Sequence, residues 1–188
     1  MIYSKNIFDE VITVKGINMA NVGIFFGSDT GNTENVAKQI QQILGSDKAD
    51  IFDIAKTTKE TIEQYNYLFL GIPTWYYGES QADWEDFFPN LKQMDFNGKT
   101  VAIFGCGDQE DYAEYFCDAM GSLRDIIEPN GAKIVGHWST EGYSFEASKS
   151  LVDDTHFVGL AIDEDRQPEL TEERINNWVN QVKTEMNI

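Results

Sequence analysis

Val22-Gly23-Ile24-Phe25-Phe26-Gly27-Ser28-Asp29-Thr30-Gly31-Asn32-Thr33 runs almost directly into a segment whose apolar residues are Val36, Ala37, Ile40, Ile43 and Leu44. The first five residues form an apolar run of strand length, and the later set keeps a 3.6-residue period. Between them lies a loop of glycines and small hydroxyl, amide and carboxylate residues. A strand that becomes a helix across so short a turn opens a βα unit, the building block of parallel sheets. Such a turn also leaves backbone N–H groups unpaired at the positive end of a helix dipole, which makes an anion site. The loop contains no Lys or Arg, so it is not the G-x-x-x-x-G-K-[ST] cradle of a nucleotide triphosphatase. Neutral donors suit one terminal monophosphate. An ordinary capped turn rich in polar residues would have the same composition.

Outward from this unit, strand-length apolar runs recur at Ile51–Ile54, Tyr67–Ile72, Val101–Phe104, Ile134–Trp138 and Phe157–Ile162. A helix is expected to open at Tyr112 and to carry Phe116, Ala119, Met120, Leu123 and Ile127 on one face, closing at Pro129-Asn130-Gly131. A last helix uses Ile175, Trp178, Val179, Val182 and Met186, with Thr171 as its expected N-cap and Glu172 and Glu173 in its first turn. This alternation predicts an α/β fold, a doubly wound, five-stranded parallel sheet covered on both faces. Ser139–His156 interrupts the fifth strand and has little period, so an irregular loop is expected there.

At 188 residues the chain predicts one domain, at roughly 150 residues per domain. Residues 1–18 read as a tag-like or mis-started extension, with a strand at Val11–Val14 as the rival reading, and residues 19–188 as the domain. The extension carries Lys5, Lys15, Asp9 and Glu10, so the formal charge of −18 belongs wholly to the remainder. That charge argues against nucleic-acid and anionic-membrane partners. Two cysteines, Cys106 and Cys117, are too few for a disulfide framework, which points to the cytoplasm. No metal site is expected: His137 and His156 lack paired cysteines, and Asp163-x-Asp165 lacks the EF-hand glycine. No G-x-S-x-G element exists, and no catalytic residue is expected.

Two further loops fall at the carboxyl ends of strands, where open α/β sheets bind ligands. Pro73-Thr74-Trp75-Tyr76-Tyr77-Gly78-Glu79 places three aromatics in succession, too many for one loop to bury. Gly105-Cys106-Gly107-Asp108-Gln109-Glu110-Asp111-Tyr112 follows the fourth strand. Beside a phosphate cradle, these loops outline a slot for a flat heteroaromatic ring. Trp75 and Tyr112 acting only as covers of the sheet edge remains the alternative. The Gly105-x-Gly107 pair is not a dinucleotide fingerprint, because Glu110 stands where the third glycine belongs.

These motifs, with Tyr112–Phe116 and Asp163-Glu164-Asp165, resemble the long-chain flavodoxins, similar to those of enteric and related gamma-proteobacteria. The resemblance spans Asn21 to about Met186, 166 of 188 residues. It implies the strand order 2-1-3-4-5 with FMN at the switch point, a placement known for this family and carried over from it. It further implies that Ser28, Asp29, Thr30, Gly31, Asn32, Thr33 and Thr74 hold the FMN phosphate and that Trp75 and Tyr112 sandwich the isoalloxazine. Backbone groups of Tyr76, Tyr77, Gly107, Asp108, Tyr115 and Cys117 would meet its polar edge, Gly78 would also contact the cofactor, and Cys106 and Asp165 would lie near the ribityl chain. Some relatives carry Lys at the position of Asn32, so the phosphate here lacks that counter-charge.

The implied function is a low-potential one-electron carrier shuttling between semiquinone and hydroquinone, from a basic NADPH-dependent flavin reductase to acceptor redox enzymes, and working as a monomer. Residues 75–120 carry Glu79, Asp83, Glu85, Asp86, Asp95, Asp108, Glu110, Asp111, Glu114 and Asp118 against Lys92 and Lys99. At an effective dielectric of ~20, one such charge ~8 Å away contributes about 2 kcal/mol before screening, in the sense that lowers the second potential. In the family a peptide flip, here Tyr76–Tyr77, answers the first electron. Neither residue is Gly, so a positive φ there should cost ~1 kcal/mol or more. The rival reading is an FMN-dependent NAD(P)H/quinone oxidoreductase on the same fold, although the chain shows no nicotinamide fingerprint. A signalling receiver of similar topology would need a Lys after the last strand, where Gly136-His137-Trp138 stands instead.

Overall fold

The computed structural model describes residues 22–188. The expected extension at 1–18, and the start of the domain at Met19, lie outside them. In chain order the elements are β1 (Val22–Phe26), α1 (Asn32–Leu44), β2 (Ala49–Asp53), α2 (Lys59–Glu63), β3 (Tyr67–Gly71), β4 (Thr74–Trp75), β5 (Glu79–Ser80) and α3 (Ala82–Leu91). They continue with β6 (Thr100–Cys106), α4 (Asp118–Ile127), β7 (Lys133–Val135), β8 (Trp138–Ser139), β9 (Leu151–Asp153), β10 (His156–Phe157), β11 (Leu160–Ile162) and α5 (Thr171–Met186).

The main sheet is parallel, in the order β2-β1-β3-β6, and both β7 and β11 pair with the far edge of β6. β7 lies beside Thr100–Ala102 and β11 beside Phe104–Cys106, so they are two halves of one fifth strand laid end to end. The expected order 2-1-3-4-5 with an interrupted fifth strand is therefore present. Because both faces are covered, the inner strands β1, β3 and β6 are apolar almost throughout, whereas edge strand β2 carries Asp50 and Asp53; alternate residues serve opposite cores. Ile24, Phe69, Ala102 and Phe104 pack with α1 and α5, whereas Phe25, Leu68, Leu70, Val101 and Ile103 pack with α3 and α4.

Three local expectations are corrected. The inserted segment is irregular only over residues 140–150; its ends form β8, β9 and β10, which make a small antiparallel sheet in the order β8-β10-β9. Its Phe157 and Tyr143 pack on Phe116, so apolar anchors rather than period hold it. The fourth helix does not open at Tyr112; a 3-10 turn covers Ala113–Tyr115, and Cys117, at φ 55, breaks the path before α4 begins at Asp118. Thr171 is the first residue of α5 rather than its N-cap, and its buried hydroxyl has no hydrogen-bond partner among the described residues. Neither α2 nor α3 was foreseen, and α3 is helical despite Pro89. No helix among the described residues is long and apolar enough to cross a membrane.

Candidate functional site

The ends of β1, β3, β6 and β11 all point to one edge of the sheet, and the loops that leave them enclose a cavity of about 410 Å³. Its floor is the turn from β1 into α1. Gly31 sits before the first helical residue at φ 94, a conformation that suits glycine, and its N–H donates to Ser28 Oγ at 3.0 Å. The backbone N–H groups of Ser28, Asp29, Thr30, Asn32 and Thr33 have no acceptor among the described residues. They converge on the N-terminus of α1, where the helix dipole favours negative charge. Gln81, almost fully buried, ties this turn to α3: its Nε2 donates to Asp29 Oδ1 at 3.2 Å, and its Oε1 accepts from Trp84 N at 3.3 Å.

One wall is the loop after β3. Thr74 Oγ1 accepts from Ala119 N at 3.0 Å, which leaves the hydroxyl proton to be donated into the cavity. Trp75 lines the wall, and its buried Nε1 has no hydrogen-bond partner among the described residues. The chain reverses between β4 and β5, with Gly78 N donating to Trp75 O at 3.1 Å. Tyr76, the first central residue of this turn, has φ 43, whereas Tyr77 is not among the positive-φ residues. These signs match the II′ turn class, whose first central position normally holds glycine.

The opposite wall comes from the loops after β6 and β11. Gly107 N donates to Ile162 O at 3.0 Å. Asp163, fully buried, accepts from Gln109 N and Nε2 with one carboxylate oxygen, and from Asp165 N and Arg166 N with the other. Asp108 receives Arg166 Nε at 3.1 Å and Nη2 at 3.0 Å. Burial alone would raise the pKa of Asp108. The bonds from Arg166 and from the N–H groups of Asp111 and Glu110 outweigh it and hold the carboxyl below its ordinary range. Burial pushes the Cys106 thiol up to about 12 and the Cys117 thiol well above its ordinary value, which favours the neutral thiol at both.

The cavity thus collects Ser28, Asp29, Thr30, Asn32, Thr33, Thr74, Trp75, Tyr76, Cys106, Gly107, Asp108, Tyr112, Tyr115 and Asp165. Gly31, Tyr77, Gly78 and Cys117 do not line it. Gly31 turns its N–H to Ser28, Tyr77 is 72% exposed, Gly78 closes the β4–β5 turn, and the buried Cys117 thiol faces Gly105 O. Pro73 and Glu164 also line the cavity; both stand in motifs read from the sequence, but neither is assigned a role there. Gln81, Gln109 and Arg166 were also missed, since they act across long sequence separations that no local motif reports.

The charge balance inferred from residues 75–120 needs correction as well. Lys99 is buried at the far end of β6, donating to Glu63 O and Tyr65 O, and Asp95 lies in the turn before it. Asp118 pairs with Lys149 at 3.3 Å. Around the cavity the wall carries Asp29, Asp108, Glu164 and Asp165 and, among the described residues, neither Lys nor Arg. Among the described residues there is no His/Cys/Asp/Glu cluster able to hold a metal ion.

Comparison with known proteins agrees with this geometry. The sequence model of a family described as Flavodoxin matches residues 24–178. Flavodoxin 1 of Salmonella typhimurium is 72% identical over 170 residues, covering 90% of this chain and 97% of that protein. The flavodoxin of Haemophilus influenzae is 68% identical over 168 residues, covering 89% of this chain and 97% of its own. The crystal structure of Fusobacterium nucleatum flavodoxin bound to flavin mononucleotide superposes with a TM-score of 0.82 at 37% identity, covering 87% of this chain and 97% of that one.

Proposed function

The chain belongs to the flavodoxin family, and from that premise we propose that it holds FMN non-covalently in this cavity and carries single electrons between redox partners. One observation carries the reading: a crown of unpartnered N–H groups, without any cation, opens onto a slot walled by Trp75 and Tyr112. The residues fit the group. The N–H groups of Ser28, Asp29, Thr30, Asn32 and Thr33, with the Thr74 hydroxyl, would hold the phosphate. The orphaned Trp75 Nε1 is a buried donor that a bound polar ligand would satisfy. Tyr112 and Trp75 would flank the ring, while Asp165 and Cys106 would lie along the ribityl chain.

When bound, FMN supplies the electron storage, and the protein supplies position and electrostatics. The acidic wall opposes each added negative charge and so favours a strongly reducing carrier. The two thiols stay protonated and take no part. Exposed Tyr76, Tyr77 and Tyr112 around an acidic rim suit a basic NADPH-dependent flavin reductase as donor and redox enzymes as acceptors. We place the working protein in the cytoplasm as a monomer, with residues 1–18 as an added extension to the domain.

The test is the visible spectrum of protein purified without added cofactor. Oxidised-flavin bands, with FMN released on denaturation, are the expected result. A colourless protein that does not bind added FMN would overturn it, and steady NAD(P)H oxidation by the protein alone would favour an oxidoreductase.

A further inference from the structure

Resting on that reading of the cavity, we propose that Arg166 is a positioning residue for the 107–112 loop and also the counter-charge that limits how reducing the bound flavin becomes. Asp108, Glu110 and Asp111 place three carboxylates in four consecutive residues immediately before Tyr112. All three converge on one guanidinium. Arg166 grips Asp108 through two nearly equal bonds, Nε to Oδ1 at 3.1 Å and Nη2 to Oδ2 at 3.0 Å. It also reaches Asp111 at 2.7 Å and Glu110 at 3.5 Å. This is the planar fork that arginine offers a carboxylate and lysine does not.

The base of Arg166 is itself fixed. Its backbone N–H donates to buried Asp163 at 3.0 Å, and the other oxygen of that carboxylate takes Gln109 N at 3.0 Å and Nε2 at 2.9 Å. Beyond the backbone bond from Gly107 to Ile162, the two loops that build this wall are therefore joined through two side chains, Asp163 and Arg166. Among the described residues, only the second joint sets a positive charge against the acidic lining, directly behind Asp108. Two separable consequences follow. The fork holds the turn that presents Tyr112, which governs retention of FMN. The charge offsets the acidic turn, which governs the second-electron potential.

The experiment uses the full chain loaded with FMN, in wild type, Arg166→Gln and Arg166→Lys. It measures the FMN dissociation constant by fluorescence titration and both midpoint potentials by spectroelectrochemistry. Arg166→Gln should weaken FMN binding by about tenfold, the loss expected for one charge-assisted contact. It should also move the second-electron potential to a more negative value. Arg166→Lys should lose affinity similarly while keeping that potential near the wild-type value. An unchanged potential in Arg166→Gln, or an equal shift in Arg166→Lys, would overturn the proposal.

Asp111→Asn supplies a second route should Arg166→Gln fail to fold, because the Asp111 side chain is 73% exposed. Its effect on FMN affinity should be clear in wild type and largely absent beside Arg166→Lys. Additive effects would count against a shared clamp. Wild-type protein that binds no FMN would instead defeat the underlying reading, and its spectrum reports that before any variant is made.

Discussion

At the residue scale the strain sits at Tyr76, which already holds φ 43 while Tyr77 does not. A left-handed non-glycine residue costs about 1–2 kcal/mol. Rotating the Tyr76–Tyr77 peptide changes ψ of Tyr76 and φ of Tyr77, so the further cost of the flip that the family resemblance implies falls on Tyr77. Tyr77→Gly removes the Cβ that opposes a positive φ there. It should raise the first-electron potential in a redox titration, and an unchanged potential would show that this peptide does not flip. Asp108 gives a pH prediction. Its folded pKa lies below the ordinary 3.8, so its stabilising effect is complete above that value and is lost as pH falls through the folded pKa. Asp108→Asn should flatten acid-induced FMN release below about pH 4 relative to wild type, followed by flavin fluorescence.

At the scale of elements, what could be read from sequence was what repeats locally. β1 was legible to the residue, because a parallel strand buried on both faces is a continuous apolar run. The turn from Ser28 to Thr33 that leads from β1 into α1 was legible because its glycines and small polar residues lie within seven consecutive positions from Gly27. α3 was not, since Trp84, Phe87 and Leu91 share a face interrupted by Pro89, which reads as a breaker. Nor was the start of α4, because the apolar spacing of Phe116 and Met120 ran through a left-handed Cys117 that only tertiary packing demands. Gln81 shows the same blindness: its value lies in a contact 52 residues away in sequence. Gln81→Ala would leave the Trp84 N–H and the Asp29 loop without this tie. FMN affinity should fall by roughly tenfold, at about 1–2 kcal/mol for a buried hydrogen-bonded side chain, with thermal unfolding of the apoprotein lowered as well. Equal affinity for the variant and wild type, by fluorescence titration, would mean that the phosphate turn holds its shape unaided.

For the whole molecule, the −18 charge that composition already announced acts in two opposite directions. Within the chain, like charges repel and reduce the stability of the compact state. Between the chain and a basic donor, the same field speeds encounter. Salt weakens both, since the screening length falls from about 30 Å at 0.01 M to about 8 Å at 0.15 M. Raising ionic strength over that interval should therefore raise the thermal midpoint of the protein. Over the same interval, the bimolecular rate of reduction by a basic flavin reductase should fall. The Arg166–Asp108 pair is partly buried and screened less than exposed charges, so repulsion among unpaired surface acids dominates the first response. Calorimetry and stopped-flow reduction on one sample series measure the two trends together. A rate indifferent to salt while the midpoint rises would assign the acidic rim to solubility alone, and a midpoint that falls would mean that ion pairs outweigh the net charge.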